Sequence, residues 1–202
     1  MIHWSGQILQ RFNGHTHVSY QLDQPGDSFY FEHNRHFNSN SEVDGGSAHF
    51  AIFAPGGAFA GFYNTCALNS SVASVSNLNR GQPVSSLPFV GGGPGIIATA
   101  GSYGCGGGWR GQFLDGGIGF IGFKFNNGSG DQYGWARIKM KTADSSHLFQ
   151  LVDYAYGDVG DRIRVGQKSG GHSTELESLG GLALGAAGLL AWRRRCSLLP
   201  RT

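Results

Sequence analysis

The sequence predicts an all-β protein: one antiparallel β-sandwich or jelly-roll-like domain over residues 1–166, a flexible Gly/Ser-rich linker over 167–178, and a C-terminal hydrophobic helix with an arginine-rich tail over 179–202. Three observations predict it. Glycine fills 35 of 202 positions, more than twice the usual level of roughly 7%, charged residues make up only 14% against roughly 25%, and aromatics reach 12%. Glycine weakens helix interiors, whereas aromatic side chains suit a pleated surface. The second observation is a series of short apolar runs separated by Gly, Asn, Asp, Ser and Pro clusters. The third is an abrupt change of composition after Gly166. A chain with 40% hydrophobic residues and this little charge collapses rather than staying disordered.

In chain order, Met1–Gln10 lacks the basic start, long apolar stretch and small-residue cleavage site of an export leader. Strands are expected at Ser28–Glu32, Ala48–Ala54, Phe59–Tyr63, Ile96–Ala100, Ile118–Phe125, Tyr133–Lys141 and Leu148–Tyr156. Tyr133–Lys141 alternates Tyr133, Trp135, Arg137, Lys139 and Lys141 with Gly134, Ala136, Ile138 and Met140, which predicts a strand with one wet face. Ile118–Phe125 is apolar on both faces, and Asn126–Gln132 between the two is rich in residues that tolerate positive φ, so the pair reads as an antiparallel hairpin.

Gln167–Thr174 contains no apolar residue and reads as a linker. Leu179–Trp192 then runs without a charge and closes on Arg193, Arg194 and Arg195. As a helix the run spans roughly 21 Å, short of the roughly 30 Å hydrocarbon core. A buried or interfacial helix is the alternative, but the run lies beyond the linker and is apolar all round. Trp192 beside three arginines matches a membrane boundary with the arginines on the cytoplasmic side.

This C-terminus resembles a PEP-CTERM sorting signal, in which a short Pro-Glu-Pro motif precedes a short Leu/Gly/Ala-rich helix and an arginine cluster. The resemblance is carried by Leu182, Leu184, Leu189, Leu190 and Trp192 within the run and by Arg193, Arg194 and Arg195 after it; Leu176-Glu177-Ser178 stands where Pro-Glu-Pro is expected, so only Glu177 is retained, and Cys196–Thr202 makes a longer tail than usual. Phe120-Ile121-Gly122-Phe123, Tyr133-Gly134-Trp135-Ala136-Arg137, Val152-Asp153-Tyr154-Ala155-Tyr156 and Gly166 also resemble the last part of the β-domain that often carries such a tail. The resemblance implies an exported, non-enzymatic substrate of an exosortase-type sorting enzyme. It implies a surface or extracellular-matrix protein of a Gram-negative-type bacterium, membrane-inserted through residues 179–192 and associated with exopolysaccharide. Precursors of this kind carry a leader, and Trp4-Ser5-Gly6 resembles the start of the mature part, so a leader is expected upstream or already removed.

Chemistry is sparse. Arg193, Arg194, Arg195 and Arg201 account for four of 15 basic residues, leaving 11 against 13 acidic ones in residues 1–192, with no basic footprint for nucleic acid. No Asp or Glu occurs between Gly45 and Leu114, where a general acid–base pair is hard to place. There is no Gly-x-Ser-x-Gly elbow; Gly104-Cys105-Gly106 reflects common glycine, and Gly93-Pro94-Gly95 lacks the strand–turn–helix setting of a phosphate loop. No catalytic residue, cofactor or metal is assigned. His15, His17, His33 and His36 invite a zinc reading, and Asp23–Asp27 and Asn126–Asp131 a calcium one, but no recognised spacing is completed and polar loops and turns account for them. Asp153 reads as a buried hydrogen-bonding carboxylate. Cys66 and Cys105 are candidates for a disulfide, two free thiols being the other reading; Cys196 falls beyond the arginines. Tyr133, Trp135, Tyr154 and Tyr156 are either sandwich core or an aromatic face for sugar rings, which would make the protein an anchored carbohydrate-binding module.

Overall fold

A computed structural model describes residues 1–12, 16–37, 43–65, 71–91, 93–100, 112–113, 117–143 and 146–170. The chain divides into two units, Met1–Ser169 and Gly170–Thr202, and every described strand belongs to the first. These are β1 Ile2–Trp4, β2 Gln10–Phe12, β3 Thr16–Gln21, β4 Ser28–Phe37, β5 Val43–Phe53, β6 Ala58–Thr65, β7 Ser71–Val75, β8 Phe89–Gly91, β9 Gly95–Ala100, β10 Ile118–Asn126, β11 Asp131–Ala143 and β12 Ser146–Gly157. One 3-10 turn, Val84–Ser86, lies between β7 and β8. All seven strands expected from the sequence are present, mostly longer than their apolar runs. The hydrophobic segment 179–192 lies outside the described residues.

The strands form one curled sheet in the order β1-β12-β11-β10-β6-β7-β9-β5-β4-β3, with β2 also on β12 and β8 on β6. Among the described residues pairing is antiparallel except for one parallel bridge, Ser74 to Ile96, between β7 and β9. β6 is where the sheet turns: Ala58 and Phe59 pair with β10, and Gly61–Thr65 pairs with β7. The two halves fold over an aromatic core. Alternation along β4 sends Phe29 and Phe31 inward, and they meet Phe12, Phe123 and Phe149 from the opposite half at ring separations of 5.4–5.6 Å. All five rings are fully buried, each worth about 1.5–3 kcal/mol of transfer free energy. Close ring crossings explain glycines inside strands: a Cβ on Gly134 would collide with the Phe123 ring and lie 2.9 Å from the Ala155 carbonyl oxygen.

The hairpin is as expected. β10 and β11 pair from Ile118–Lys139 to Asn126–Asp131, and the Asn126 Oδ1 accepts from the N–H groups of Gly128 (2.8 Å) and Gly130 (3.3 Å), both at positive φ. The expectation of a wholly wet outer face on β11 is corrected. Lys139 is exposed, yet Trp135 is fully buried, because Leu78, Val84, Ile163 and Val165 from the flanking segments close over it as a second apolar cluster.

Candidate functional site

Asp153 anchors a buried cluster of charged and polar side chains. On β12, Phe149 and Leu151 face the main core, and a register shift opposite Arg137/Ile138 inserts Val152 so that Asp153 stands across from Arg137 on the outer face. The Arg137 guanidinium forks onto it, Nε to Oδ1 and Nη2 to Oδ2, both at 2.7 Å. The Trp4 indole N–H donates to Oδ2 at 3.2 Å, and Lys168 Nζ lies 3.1 Å from the same oxygen and 4.3 Å above the Trp4 ring. Asp153 is fully buried, whereas the Arg137 and Lys168 side chains are 21% and 39% exposed. Trp135 Nε1 donates to the Gln167 carbonyl oxygen at 2.9 Å beside it. Three hydrogen bonds and the Lys168 ammonium engage the two oxygens of this fully buried carboxylate, so it is not placed to take a proton from a substrate. Its geometry fastens β1, β11, β12 and the chain at Gln167–Lys168 together, the structural role expected of Asp153.

A second arrangement lies on the outer face of β3–β5. Strand alternation turns Tyr30 and Glu32 outward between the inward Phe29 and Phe31. His17 stacks on Tyr30 at 4.7 Å and 26°, and Tyr30 stacks on Phe53 at 4.7 Å and 14°. Tyr30 is thereby buried while Phe53 stays 54% exposed. Burial pushes the Tyr30 phenol pKa up, with the Glu32 charge adding to it. Glu32 accepts from Asn34 Nδ2 at 2.7 Å and lies 3.8 Å from His49 Nδ1. Burial holds the His49 pKa below its usual 6.5, a lowering that Glu32 opposes. Beside Phe53, a groove of about 360 Å³ runs between the Ala54–Gly57 turn and Gly93-Pro94.

The remaining sequence candidates scatter. Tyr133, Trp135, Tyr154 and Tyr156 do not share a surface: Trp135 pairs with Ala155 on the outer face, while Tyr154 and Tyr156 point to the core side, against Phe29 at 4.8 Å and Phe125 at 5.6 Å. The Tyr154 hydroxyl donates to the Gln21 carbonyl oxygen at 3.2 Å, and Tyr133 packs beside Phe89. The two loops offered for calcium are joined by Asn127 Nδ2, which donates to Asp23 Oδ2 at 2.7 Å, while Asp131 receives Lys124 and Asn126 from its own hairpin. His33 is buried edge-on against Phe149, apart from the exposed His17 stack. Among the described residues no three His, Cys, Asp or Glu side chains are grouped to hold a metal ion. His15, Cys66, Cys105, Cys196, Glu177 and the sorting-signal residues 182–195 lie outside the described residues, as does the His36 side chain.

The His17–Tyr30–Phe53 stack escaped the sequence reading. Its signal was the Tyr30 and Glu32 phase of the Ser28–Glu32 strand, but only pairing with β3 and β5 brings the rings together. Trp4 and Lys168 offered no local signal at all. Comparison with protein-family models, curated proteins and solved structures found no match to this chain.

Proposed function

We propose that the chain is a non-enzymatic surface or extracellular-matrix protein of a bacterial envelope, whose body is displayed outside the cytoplasm and whose C-terminal segment is a PEP-CTERM-like sorting and anchoring signal. The curled sheet is read here as a two-layered β-sandwich serving as the displayed module. One observation carries the proposal: fourteen uncharged residues, Leu179–Trp192, follow a polar linker and end on three consecutive arginines. Further support comes from the body. Its last described strand ends at Gly157, and the segment after it is fastened to β11 and β12 through Gln167 and Lys168, ahead of the apolar run in the chain. The partners on this reading are the membrane through residues 179–192, an exosortase-type enzyme and exopolysaccharide.

The test is the intact mass and fractionation of the protein expressed from its own genomic locus with upstream sequence. The expected result is a species outside the cytoplasm lacking the residues after about Glu177. A full-length species retained in the membrane would overturn the sorting step and leave an anchored module; a full-length soluble cytoplasmic species would overturn both.

A further inference from the structure

Phe53 closes the three-ring stack on β3–β5: one face rests on Tyr30, yet more than half of its surface remains open beside the groove. Among the described residues no charged side chain lines that groove. Its walls are Phe53, Ala54, Gly56, Gly57, Gly93 and Pro94, together with parts of β4–β6. The glycines matter chemically, because Gly56 and Gly93 are exposed and have no side chain to cover their peptide groups at the rim, while the Gly57 N–H closes the turn onto the Ala54 carbonyl oxygen at 2.9 Å. We propose that this groove binds one pyranose ring of a neutral polysaccharide, stacked on Phe53; the proposal deepens the surface-protein reading and rests on it only for where such a polymer is met.

The chemistry selects that ligand class. A pyranose ring carries weakly positive C–H groups on its faces and hydroxyls around its edge, so it matches a negative aromatic face bordered by peptide donors and acceptors. The absence of a lining cation disfavours phosphate and uronate groups, whose desolvation would be left uncompensated. A lipid chain or apolar peptide would leave the rim's peptide groups without polar partners. The volume of about 360 Å³ sits at the small end of ligand pockets, roughly 300–1,000 Å³, which suits one ring rather than a long segment. Tyr30 is clamped between His17 and Phe53, so the platform is assembled before ligand arrives and little side-chain freedom is lost on binding.

The test is affinity electrophoresis of the full chain, in mild non-ionic detergent, through gels containing hydroxyethylcellulose, dextran or galactomannan. Retardation is expected in at least one gel. Phe53→Ala should raise the apparent dissociation constant at least tenfold at an unchanged melting temperature, and Phe53→Trp should keep retardation. Tyr63→Ala removes another exposed aromatic away from the groove and should change nothing. No retardation in any of the three gels, retardation that survives Phe53→Ala, or equal loss in Tyr63→Ala would overturn the proposal. So would a concentration-dependent dimer dissolved by Phe53→Ala, which would assign the groove to a second copy. Failure here with the protein still found outside the cytoplasm leaves the surface reading standing, and cytoplasmic retention with gel binding intact does the reverse.

Discussion

Truncating Asp153 to alanine removes the acceptor of three hydrogen bonds and the partner of the Lys168 ammonium at once. The cost follows from what is left behind. Arg137, 21% exposed, loses two charge-assisted bonds and regains only part of its hydration, and the Trp4 indole N–H loses its partner. Breaking a buried ion pair from one side costs about 3–5 kcal/mol, but Arg137 reaches water in part, so we expect about 2–4 kcal/mol. Lys168 is 39% exposed, and its contact with Asp153 is discounted for solvent screening to about 0–1 kcal/mol. At roughly 2–4 °C per kcal/mol for a chain of this size, Asp153→Ala should lower the melting temperature by about 4–16 °C and Lys168→Ala by no more than about 4 °C. Thermal unfolding followed by near-ultraviolet circular dichroism at pH 7 reads both. Repeating the melts at 0.5 M salt should erase the Lys168 increment and leave most of the Asp153 loss, since exposed pairs are screened and buried ones are not. An Asp153→Ala protein within 1 kcal/mol of the parent, or a Lys168→Ala protein as unstable as Asp153→Ala, would refute this account of the cluster.

Gly134→Ala drives a methyl into the Phe123 ring and the Ala155 carbonyl, and should cost about 1–3 kcal/mol or more by overpacking, read as a lower urea midpoint. The His49 pKa is depressed on folding, so its contribution is fully present above pH 6.5 and is lost as pH falls from there through the folded-state value; His49→Gln should flatten that limb of the stability–pH curve, and an unchanged slope would show that the burial of His49 is not its source. In the tail, Leu184→Lys should cost about 2.5–3.5 kcal/mol of membrane insertion, and a variant that remains in the membrane fraction on carbonate extraction would contradict the anchoring role of residues 179–192.

Much of the sheet was legible because strand patterning is local. Alternating or continuous apolar runs located β4, β5, β6 and β9 to β12, and the Asn/Gly-rich connection between β10 and β11 specified an antiparallel hairpin. The short strands β1, β2, β3, β7 and β8 were missed, since they either span only three residues or mix Ser, Thr, His and Gln with their apolar residues, without the Ile-Ile-Ala run that marks β9. β1 is defined by its pairing with β12 more than 150 residues away.

Sequence alone determined the all-β class, the β10–β11 hairpin and the break in character after Gly166, because composition, local apolar patterning and turn chemistry depend only on neighbouring residues. Tertiary structure decided which outward-facing residues stay wet. Trp135 and Lys139 occupy the same face of the same strand, yet segments bearing Val84 and Ile163 cover one and leave the other in solvent. The same holds for chemistry: Trp4, Arg137, Asp153 and Lys168 form one cluster, and His17, Tyr30 and Phe53 one stack, because long-range strand pairing and, at Asp153, a one-residue register shift bring them within reach of one another. Alternation assigns a side chain to a face; what lies above that face is set by chain closure over tens of residues.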